Sequence, residues 1–494
     1  MGWSVECVAG THRTDQRGTP ATLERVSASR KCHPGGMDQA APAQDVDQSA
    51  RPPRPERGQE VEVTVDRLAY GGNGVARHDG YVLFVPATFP GDRVRAQVTK
   101  RKRAYGEARL LEVLVPSPDR ITPVADHPGV AWQVLPYEKQ LAIKAEQVHD
   151  ALTRIGHLEG FVQEPIVAAV EQWGYRNKLE YSFGTSGSGS LICGFHAPGS
   201  WEDIVDGVSL LGSERLARAR EEVLAFCRAQ GLAAYDRRAQ KGFLRNLVLR
   251  EARRTGETQI RLVTSRGELD TVAFAQAVEA TSLIWTQIDQ VGETTTGGYS
   301  ELVGGRETIT EQLGGLEFSI SPEAFFQTNT EMAEQLYAVA HEYAGLQGWE
   351  RVYDLFCGIG TIGLTLAQRA GEVWGLEIVE PAIADAIANA RRNEIENARF
   401  FAGDVRLALR ELVETAGRPD VLVVDPPRAG LSQKVVRRVI EASPKRIVYV
   451  SCNPTTLAPN AAQLVEAGYA LKKVRPVDMF PQTPHIECVA LLER

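Results

Sequence analysis

The stretch "RVYDLFCGIGTIGLTLAQRAGEVWGLEIVE", residues 351–380, decides the fold class. An apolar run near its start predicts a buried strand, Gly358, Gly360 and Gly363 predict a tight turn, and a helix follows directly. Glu377 then ends a second strand. The order of strand, glycine-rich turn, helix and strand predicts the nucleotide-binding half of a doubly wound α/β fold.

The glycine-rich turn is compatible with two cofactors. Its string G-I-G-T-I-G matches the dinucleotide fingerprint, in which glycines admit a ligand to the backbone and an acid binds the ribose hydroxyls. An NAD-dependent oxidoreductase is therefore one interpretation. The segment "VLVVDPPRAGL" (421–431) favours another, because its strand ends in a corner, Asp425-Pro426-Pro427, for which a dehydrogenase has no use. That corner resembles one that lines the substrate pocket of S-adenosylmethionine (SAM) enzymes that modify bases or amino groups.

A cysteine follows the next predicted strand, in "RIVYVSCNPTTL" (446–457). A lone cysteine is most often a small packing residue, and this is the first interpretation of Cys452. The second interpretation is a nucleophile at the mouth of a site. Because the carboxyl ends of adjacent parallel strands share one crevice, we expect Asp425 and Cys452 to face the same site.

The last segment, "VDMFPQTPHIECVALLER" (477–494), places His485 and Glu487 at the start of an apolar strand. A carboxylate at that position is costly if it is buried without a partner. At the rim of a site it can act as a base. The alternative is a surface-facing residue on a half-exposed strand.

The composition is typical of a soluble globular protein with more than one domain, since 43% of the 494 residues are hydrophobic and 24% are charged. The sequence contains no run of 18 or more apolar residues, so it predicts no membrane helix. Seven scattered cysteines without a CxxC pair predict neither a disulfide framework nor a zinc finger. A net charge of −8 argues against a strongly basic chain but allows a local basic face. We expect a cytoplasmic monomer without membrane contact.

Changes in sequence texture predict four regions. Residues 1–56 are polar, lack periodicity and predict a disordered tail, in which Met37 is a second candidate start. Residues 57–118 show short alternating runs separated by glycine-rich turns, which are typical of a small five-stranded barrel of the OB type. Residues 119–310 predict a central α+β domain that contacts RNA, and residues 311–494 hold the doubly wound fold.

The barrel segment is locally basic, although the whole chain is acidic. Residues 57–120 hold 11 Lys and Arg against 8 Asp and Glu, and the run Lys100–Arg103 precedes Tyr105. Basic charge beside an aromatic on a small barrel often binds single-stranded nucleic acid, although charge can also protect an edge strand. The pattern "LAYGGNGVAR…G…FVPATFPGD" (68–92) resembles the TRAM domain, an RNA-binding barrel found on RNA-modifying enzymes.

Five ordered motifs carry a strong resemblance to one family. They stand in the order seen in the RNA 5-methyluridine methyltransferases: "SPEAFFQTN" (321–329), "DLFCGIGTIGL" (354–364), "DPPRAGL" (425–431), "SCNPTTLAPN" (451–460) and "PHIECVALL" (484–492). With the TRAM-like barrel, the resemblance covers roughly residues 57–494.

The resemblance implies covalent catalysis at uracil C5. In that chemistry Cys452 is the nucleophile that adds to C6, C5 takes the methyl group of SAM, and Glu487 is the general base that removes the C5 proton. The thiol must react at neutral pH, which requires a lowered pKa or a nearby proton acceptor. The target base must leave its stack to reach such a crevice. The residues that match the family's SAM contacts, or occupy the place of one, are Gln327, Phe356, Thr361, Glu377 and Asp425.

One departure from the family concerns an iron–sulfur cluster. Many bacterial relatives hold a cluster with four cysteines, three of them just before a segment that resembles "WQVLPYEKQL" (132–141). Here His127 and Val130 stand where the CxxC would fall, and no cysteine lies between Cys32 and Cys193. Cys193 cannot hold a cluster alone, so we expect a member without the cluster.

The RNA target has two interpretations. The TRAM-like barrel favours 23S ribosomal RNA of the large subunit, because relatives that act on the tRNA T-loop often lack this barrel. A tRNA enzyme is the alternative. Two other functions are weaker, because the oxidoreductase rests only on the glycine string and a non-catalytic RNA-binding protein would have no chemical reason to keep both Cys452 and Glu487.

Overall fold

The computed structural model describes residues 54–494 with the exception of Asp126 and Glu293. The predicted disordered tail (1–56), with the candidate start at Met37, lies outside the described residues except for its last three positions. Within the described part of the chain, no helix is long and apolar enough to cross a lipid bilayer.

The chain first forms a closed barrel of five strands. In β1 (Glu60–Leu68) every second residue up to Val65 is buried, and this alternation gives the strand one face for a closed core. The other strands are β2 (Gly74–His78), β3 (Tyr81–Val85), β4 (Arg93–Arg101) and β5 (Tyr105–Val115), in the order β1-β2-β3-β5-β4. The barrel predicted from the sequence is confirmed.

A helix and a short strand connect the barrel to the rest of the chain. They are α1 (Tyr137–Asp150) and β6 (Val162–Gln163), and β6 pairs in parallel with a strand of the C-terminal sheet. Val148 and Leu152 pack in the same apolar cluster as core residues of that sheet. The first part of the predicted central domain thus packs with the C-terminal sheet, and the exact domain boundaries stay predictions.

The central region is a seven-stranded sheet with two helices on its apolar face. The strands are β7 (Lys178–Thr185), β8 (Leu191–His196), β9 (Ile204–Asp206), β10 (Leu244–Glu251), β11 (Thr258–Thr264), β12 (Ser282–Gln287) and β13 (Tyr299–Gly305), in the order β13-β12-β11-β10-β7-β8-β9. The helices α2 (Glu214–Ala229) and α3 (Thr271–Ala277) contribute to the apolar cluster that buries Tyr181, Phe183 and Leu249.

A hairpin and a helix lead from this sheet into the C-terminal region. The hairpin consists of β14 (Ile309–Leu313) and β15 (Leu316–Ile320), and the helix is α4 (Thr330–Ala344). Asn329 caps α4, because its side-chain oxygen accepts a hydrogen bond from the Met332 amide at 3.2 Å. The segment between β15 and α4 is therefore held at both ends.

The C-terminal region is a doubly wound sheet. Its strands are β16 (Arg351–Leu355), β17 (Glu372–Glu377), β18 (Ala398–Ala402), β19 (Val421–Val424), β20 (Arg446–Ser451), β21 (Ala470–Val477) and β22 (Glu487–Glu493). Its helices are α5 (Thr361–Ala367), α6 (Glu380–Arg392), α7 (Val405–Ala416), α8 (Gln433–Ala442) and α9 (Pro454–Glu466). With β6 the sheet has eight strands in the order β18-β17-β16-β19-β20-β22-β21-β6.

The strand directions confirm the predicted α/β fold class. Strands β16 to β20 run parallel, whereas β22 is antiparallel to β20 and β21 is antiparallel to β22. The central strands are continuous apolar runs, as expected where helices cover both faces of a parallel sheet. The strand order reverses between β16 and β19, and a crevice at the carboxyl ends of the strands is expected at that point.

Candidate active site

The turn between β16 and α5 forms one side of this crevice. Gly358 and Gly360 have φ angles of +54° and +83°, which glycine adopts without a steric penalty. Phe356 also has a positive φ, +65°, which is strained for a bulky residue and typical of functional turns. Its amide donates to the Leu376 carbonyl at 2.8 Å and so ties the turn to β17.

A second contact ties the start of α5, just after this turn, to β16. The Asp354 carboxylate accepts a hydrogen bond from the Gly363 amide at 2.8 Å, and a Cβ at Gly363 would lie only 2.8 Å from that oxygen. The other Asp354 oxygen is buried without a partner, and burial raises the pKa of this carboxyl to about 8. The close packing of turn against strand thus requires glycine at position 363.

The acid at the end of β17 stands beside the glycine-rich turn. One oxygen of the half-buried Glu377 carboxylate accepts from the Ile378 and Val379 amides at 2.9 and 3.1 Å, and the other accepts from the Gly358 amide at 3.4 Å. A carboxylate oriented by the backbone beside a glycine-rich turn can also accept hydrogen bonds from a ribose diol. This arrangement fits the nucleoside part of SAM.

Two further predicted cofactor residues are Gln327, in the segment between β15 and α4, and Thr361, the first residue of α5. Gln327 is only 7% exposed, and its backbone carbonyl accepts a hydrogen bond from the Asn177 side chain at 2.8 Å. The Thr361 hydroxyl shares a hydrogen bond of 2.9 Å with the hydroxyl of Tyr337. The backbone at Gln327 and the side chain of Thr361 are therefore both held by hydrogen bonds.

The turn after β20 holds the predicted nucleophile. Cys452 is half-buried and lies between the strand and α9. Asn453 caps α9 by accepting from the Thr455 amide at 3.0 Å, and the Ser451 hydroxyl accepts from the Asn453 amide at 3.2 Å. This turn leaves little freedom for the backbone that carries the thiol.

The structure brings three of the predicted residues together at adjacent strand ends. Ser451 and Cys488 pair across β20 and β22, so Cys452 and Glu487 occupy the next positions on the two strands. Asp425 directly follows β19, the parallel neighbour of β20. Glu487 is only 4% exposed, so it is not a surface residue of a half-exposed strand.

The electrostatics of this group raise the pKa of each of its three members. Burial, followed by the charges of Glu487 and Asp425, raises the pKa of the Cys452 thiol to about 12. Burial also raises the pKa of Asp425 to about 7 and that of Glu487 well above its ordinary value. The thiol is therefore protonated at neutral pH, and forming a thiolate here would require a nearby proton acceptor.

Arg428 is a cation of this site that the sequence analysis did not assign. Its charge lowers the pKa of Cys452 and of Glu487, against the effect of burial. Its carbonyl accepts from the side chains of Asn453 and Thr456 at 3.0 and 3.2 Å. The Asp-Pro-Pro-Arg corner is thus linked to the cysteine turn through both charge and hydrogen bonds.

A buried polar network holds the segment that leads into β22, residues 478–486. Lys144 of α1 and Asp478 are both fully buried, with the Nζ and Oδ1 atoms 2.6 Å apart. The Lys144 ammonium also donates to the Phe480 carbonyl at 3.0 Å, and the Tyr137 hydroxyl donates to Asp478 at 2.9 Å. One face of α1 therefore fixes the approach to Glu487.

An amide pair extends this network. The Gln140 side chain donates to the Gln482 side chain at 2.8 Å and accepts from the Gln482 amide at 2.9 Å. His485 lies in the same segment, and burial together with the charges of Arg428 and Arg176 lowers its pKa to about 4. His485 is therefore neutral at physiological pH.

His127 and Val130, which stand where a CxxC was expected from the family resemblance, both make packing contacts. Val130 is buried with Tyr175 and Leu211, and the His127 ring makes an edge contact with Phe195 at 5.2 Å between centroids. Cys193 is buried in the core of the central sheet. Among residues 54–494 as described, no group of three or more His, Cys, Asp and Glu side chains is arranged to hold a metal. A member without the cluster stays an expectation.

Comparisons with known proteins agree with this geometry. A family model described as tRNA (Uracil-5-)-methyltransferase matches residues 305–494, and one described as TRAM domain matches residues 54–111. An uncharacterised RNA methyltransferase of Halalkalibacterium halodurans is 39% identical over 443 residues, which are 88% of this chain and 96% of that protein. Another, from Porphyromonas gingivalis, is 39% identical over 464 residues, which are 86% of this chain and 98% of that protein.

One solved structure matches nearly the whole described chain. The tRNA (uracil-54, C5)-methyltransferase of Pyrococcus abyssi, in complex with S-adenosyl-L-homocysteine, aligns with a TM-score of 0.72 and 29% identity. The alignment covers 87% of this chain and 99% of that one. These matches decide between the two cofactor interpretations of the glycine-rich turn in favour of SAM. The chain belongs to the TRAM-domain-containing, SAM-dependent RNA (uracil-5-)-methyltransferase family.

Proposed function

We propose that the protein methylates C5 of a uridine in 23S ribosomal RNA through a covalent bond between Cys452 and C6 of the base. The observation that carries this proposal is the grouping of Cys452, Asp425 and Glu487 at neighbouring strand ends. A thiol and two carboxyl groups are the side chains that addition, proton removal and elimination at a uracil ring require.

The proton of the thiol must leave before addition. Asp425 and Glu487 are the two carboxyl groups whose charges act on Cys452. Because Glu487 must stay free to take the C5 proton, we assign the thiol proton to Asp425, whose pKa of about 7 allows it to accept and return a proton near neutral pH. The thiolate then adds to C6 and makes C5 nucleophilic.

The later steps restore the ring. SAM supplies the electrophilic methyl group that C5 takes. Glu487 removes the proton from C5, the bond between C6 and the Cys452 sulfur breaks, and the proton on Asp425 returns to the thiolate. Glu487 then releases its proton to solvent, so the net reaction releases one proton. The cycle starts from the form in which Glu487 has lost its proton to solvent, and its raised pKa makes this carboxylate a stronger base than an exposed one.

The residues proposed to hold SAM surround the glycine-rich turn. Glu377 is assigned to the ribose hydroxyls, and Phe356 to the adenosine side. Gln327 and Thr361 are assigned to the other end of the molecule, nearer the reacting methyl group, and Asp425 lies between the cofactor and the base. Support comes from Phe356, Glu377 and Asp425, which stand at the carboxyl ends of β16, β17 and β19, and from Thr361, which begins the helix after the glycine-rich turn. The assignment of Gln327 rests on the family resemblance alone.

The choice of ribosomal RNA rests on the barrel, and tRNA is the second candidate. The barrel carries the basic run Lys100–Arg103 and the exposed Tyr105, which suit single-stranded RNA. The tRNA target named for the Pyrococcus abyssi enzyme favours the alternative, because that protein aligns with 87% of this chain. The same catalytic group would serve either RNA.

Mapping 5-methyluridine in RNA from cells with and without this gene tests the proposal. We expect one or more 23S uridines to lose the methyl group when the gene is deleted, and to regain it on complementation with the wild-type chain. Loss confined to the tRNA T-loop would establish the second candidate. Unchanged 5-methyluridine in both RNAs would contradict the proposed function.

A further inference from the structure

One residue of the barrel reaches the cysteine turn of the C-terminal sheet. The hydroxyl of Tyr70, in the loop between β1 and β2, donates to the carbonyl of Cys452 at 2.9 Å, although the two residues are 382 positions apart in the chain. The Tyr70 ring packs against the apolar cluster that contains Ile486 and Cys488, on either side of Glu487. The barrel loop therefore contacts the backbone of the proposed nucleophile and packs against the apolar cluster to which the neighbours of Glu487 belong.

The loop that carries Tyr70 is rigidly held. The Ala69 amide donates to the Asn73 carbonyl at 2.8 Å, and the Gly72 amide donates to the Ala69 carbonyl at 3.0 Å. From α1, the Gln147 side chain donates to the Ala69 carbonyl at 3.0 Å. A Cβ at Gly72, whose φ is +90°, would lie 3.0 Å from Pro484, so the loop packs directly on the segment before Glu487.

The hydroxyl of Tyr70 is a stable donor in this place. Burial raises its pKa to about 12, and the nearby Cys452 acts in the same direction. It is therefore protonated at neutral pH. A bond from a rigid loop to the carbonyl of the cysteine itself restrains the peptide plane after the nucleophile, and with it the direction in which the side chain leaves the turn.

We propose that Tyr70 is a positioning residue for the nucleophile, so that the barrel completes the active site as well as binding RNA. The inference rests on the proposed role of Cys452. Tyr70 does not touch the reacting atoms through this bond; it acts through the backbone of Cys452. A misplacement of a reacting group by about 1 Å can reduce a rate about a hundredfold, which sets the scale of the expected effect.

The opposite end of β20 provides a matched control. The hydroxyl of Tyr469 donates to the carbonyl of Pro444 at 2.8 Å, just before the strand begins. Tyr70→Phe and Tyr469→Phe thus each remove one tyrosine bond to a backbone carbonyl at an end of the same strand. A merely structural role predicts similar effects of the two substitutions, whereas positioning predicts a rate effect of Tyr70→Phe alone.

The experiment uses the full-length chain and RNA that carries 5-fluorouridine at the target position. Fluorine on C5 cannot be removed as a proton is, so the methylated covalent adduct persists and its rate of formation can be followed on denaturing gels. We expect Tyr70→Phe to slow adduct formation about ten- to a hundredfold, with unchanged affinity for RNA and SAM and an unchanged thermal midpoint. Tyr469→Phe is expected to form the adduct at the wild-type rate.

Two further variants distinguish a failure of the positioning role of Tyr70 from a failure of the proposed function. Gln147→Ala releases the loop without altering Tyr70 and is expected to slow the adduct in the same direction but less. Cys452→Ala is expected to form none. A wild-type rate for Tyr70→Phe, or a loss explained wholly by weaker RNA binding, would overturn the positioning role. Adduct or product from Cys452→Ala would instead overturn the proposed function.

Discussion

The two groups proposed to act on the uracil ring are held by different kinds of structure. Glu487 follows a segment that is fixed by a fully buried ion pair and an amide pair from α1. Cys452 is half-buried and lies in a turn that is held by the Asn453 cap and by the hydroxyl of Tyr70 from the barrel. The side of the site that carries Glu487, the base side, is therefore fixed by buried polar contacts with α1. The side that carries Cys452, the nucleophile side, is completed by a contact from the barrel.

This difference predicts different consequences of mutation. Loss of a contact on the base side leaves an uncompensated buried charge and lowers stability. Loss of a contact on the nucleophile side leaves groups that water can reach, and lowers the rate more than the stability.

The largest stability effect is expected at Lys144. Lys144→Met leaves Asp478 buried without its cation, and we expect the free energy of unfolding to fall by about 3–5 kcal/mol. Urea unfolding of the full chain measures it. Lys100→Met is the control, because Lys100 pairs with Glu107 on the exposed surface of the barrel, where the loss of an ion pair has little effect on stability. Equal losses in the two variants would show that the buried ion pair does not stabilise the segment before Glu487 more than a surface pair would.

The carboxyl group of Asp425 is expected to give a pH-dependent difference in stability. Its pKa is raised to about 7 in the folded protein, whereas the pKa of an Asp in an unfolded chain is about 3.9. Between these values the folded state binds more protons, so stability falls as pH rises from about 4 to about 7. Asp425→Asn cannot ionise and should lack that decline. Parallel stability curves for the two proteins over this range would mean that Asp425 ionises normally.

The affinity for SAM is expected to depend on Glu377, which lies apart from both the Glu487 side and the Cys452 side of the site. Glu377→Ala removes a carboxylate assigned to the ribose hydroxyls, and we expect SAM binding to weaken by about 1.5–3 kcal/mol with RNA binding unchanged. Isothermal titration calorimetry measures both affinities. The control is Glu380→Ala, at an exposed position in the first turn of α6. Unchanged SAM affinity in Glu377→Ala would place the ribose elsewhere.

The smallest stability effect is expected at the cysteine turn itself. Asn453→Ala removes the cap of α9 and should cost about 1 kcal/mol. Ser432→Ala removes the cap of α8, at a residue with no assigned contact to base or cofactor, and should cost a similar amount. Only the first should also slow methyl transfer, because only Asn453 follows the nucleophile. A normal rate in Asn453→Ala would show that the cap has no part in positioning.

The sequence predicts the parts of the site that lie at strand ends. Gly358, Gly360 and Gly363 identify the cofactor turn, and local motifs identify Cys452 and Glu487, because strand ends of a parallel sheet meet at one edge. The roles proposed for these residues follow from the family resemblance, and the structure adds the grouping of Cys452 and Glu487 with Asp425.

The supporting contacts could not be predicted from the sequence. Tyr70 and Cys452 are far apart in the chain, and the docking of a barrel loop leaves no periodic signal. Lys144 occupies a polar position of an amphipathic helix, where exposure is the usual outcome. Its burial becomes understandable only with Asp478, which lies in a segment without regular structure. The raised pKa of the thiol likewise depends on burial that no local motif specifies.

The covalent protein–RNA adduct tests the central assignment of Cys452 and Glu487 most directly. Cys452→Ala should form no adduct and transfer no methyl group. Glu487→Gln keeps the nucleophile but lacks the base, so a methylated, denaturation-resistant adduct should accumulate while turnover falls by about 10²–10⁴-fold. Formation of 5-methyluridine by Cys452→Ala would contradict the assignment of the nucleophile. Normal turnover by Glu487→Gln would contradict that of the base and make His485 the next candidate.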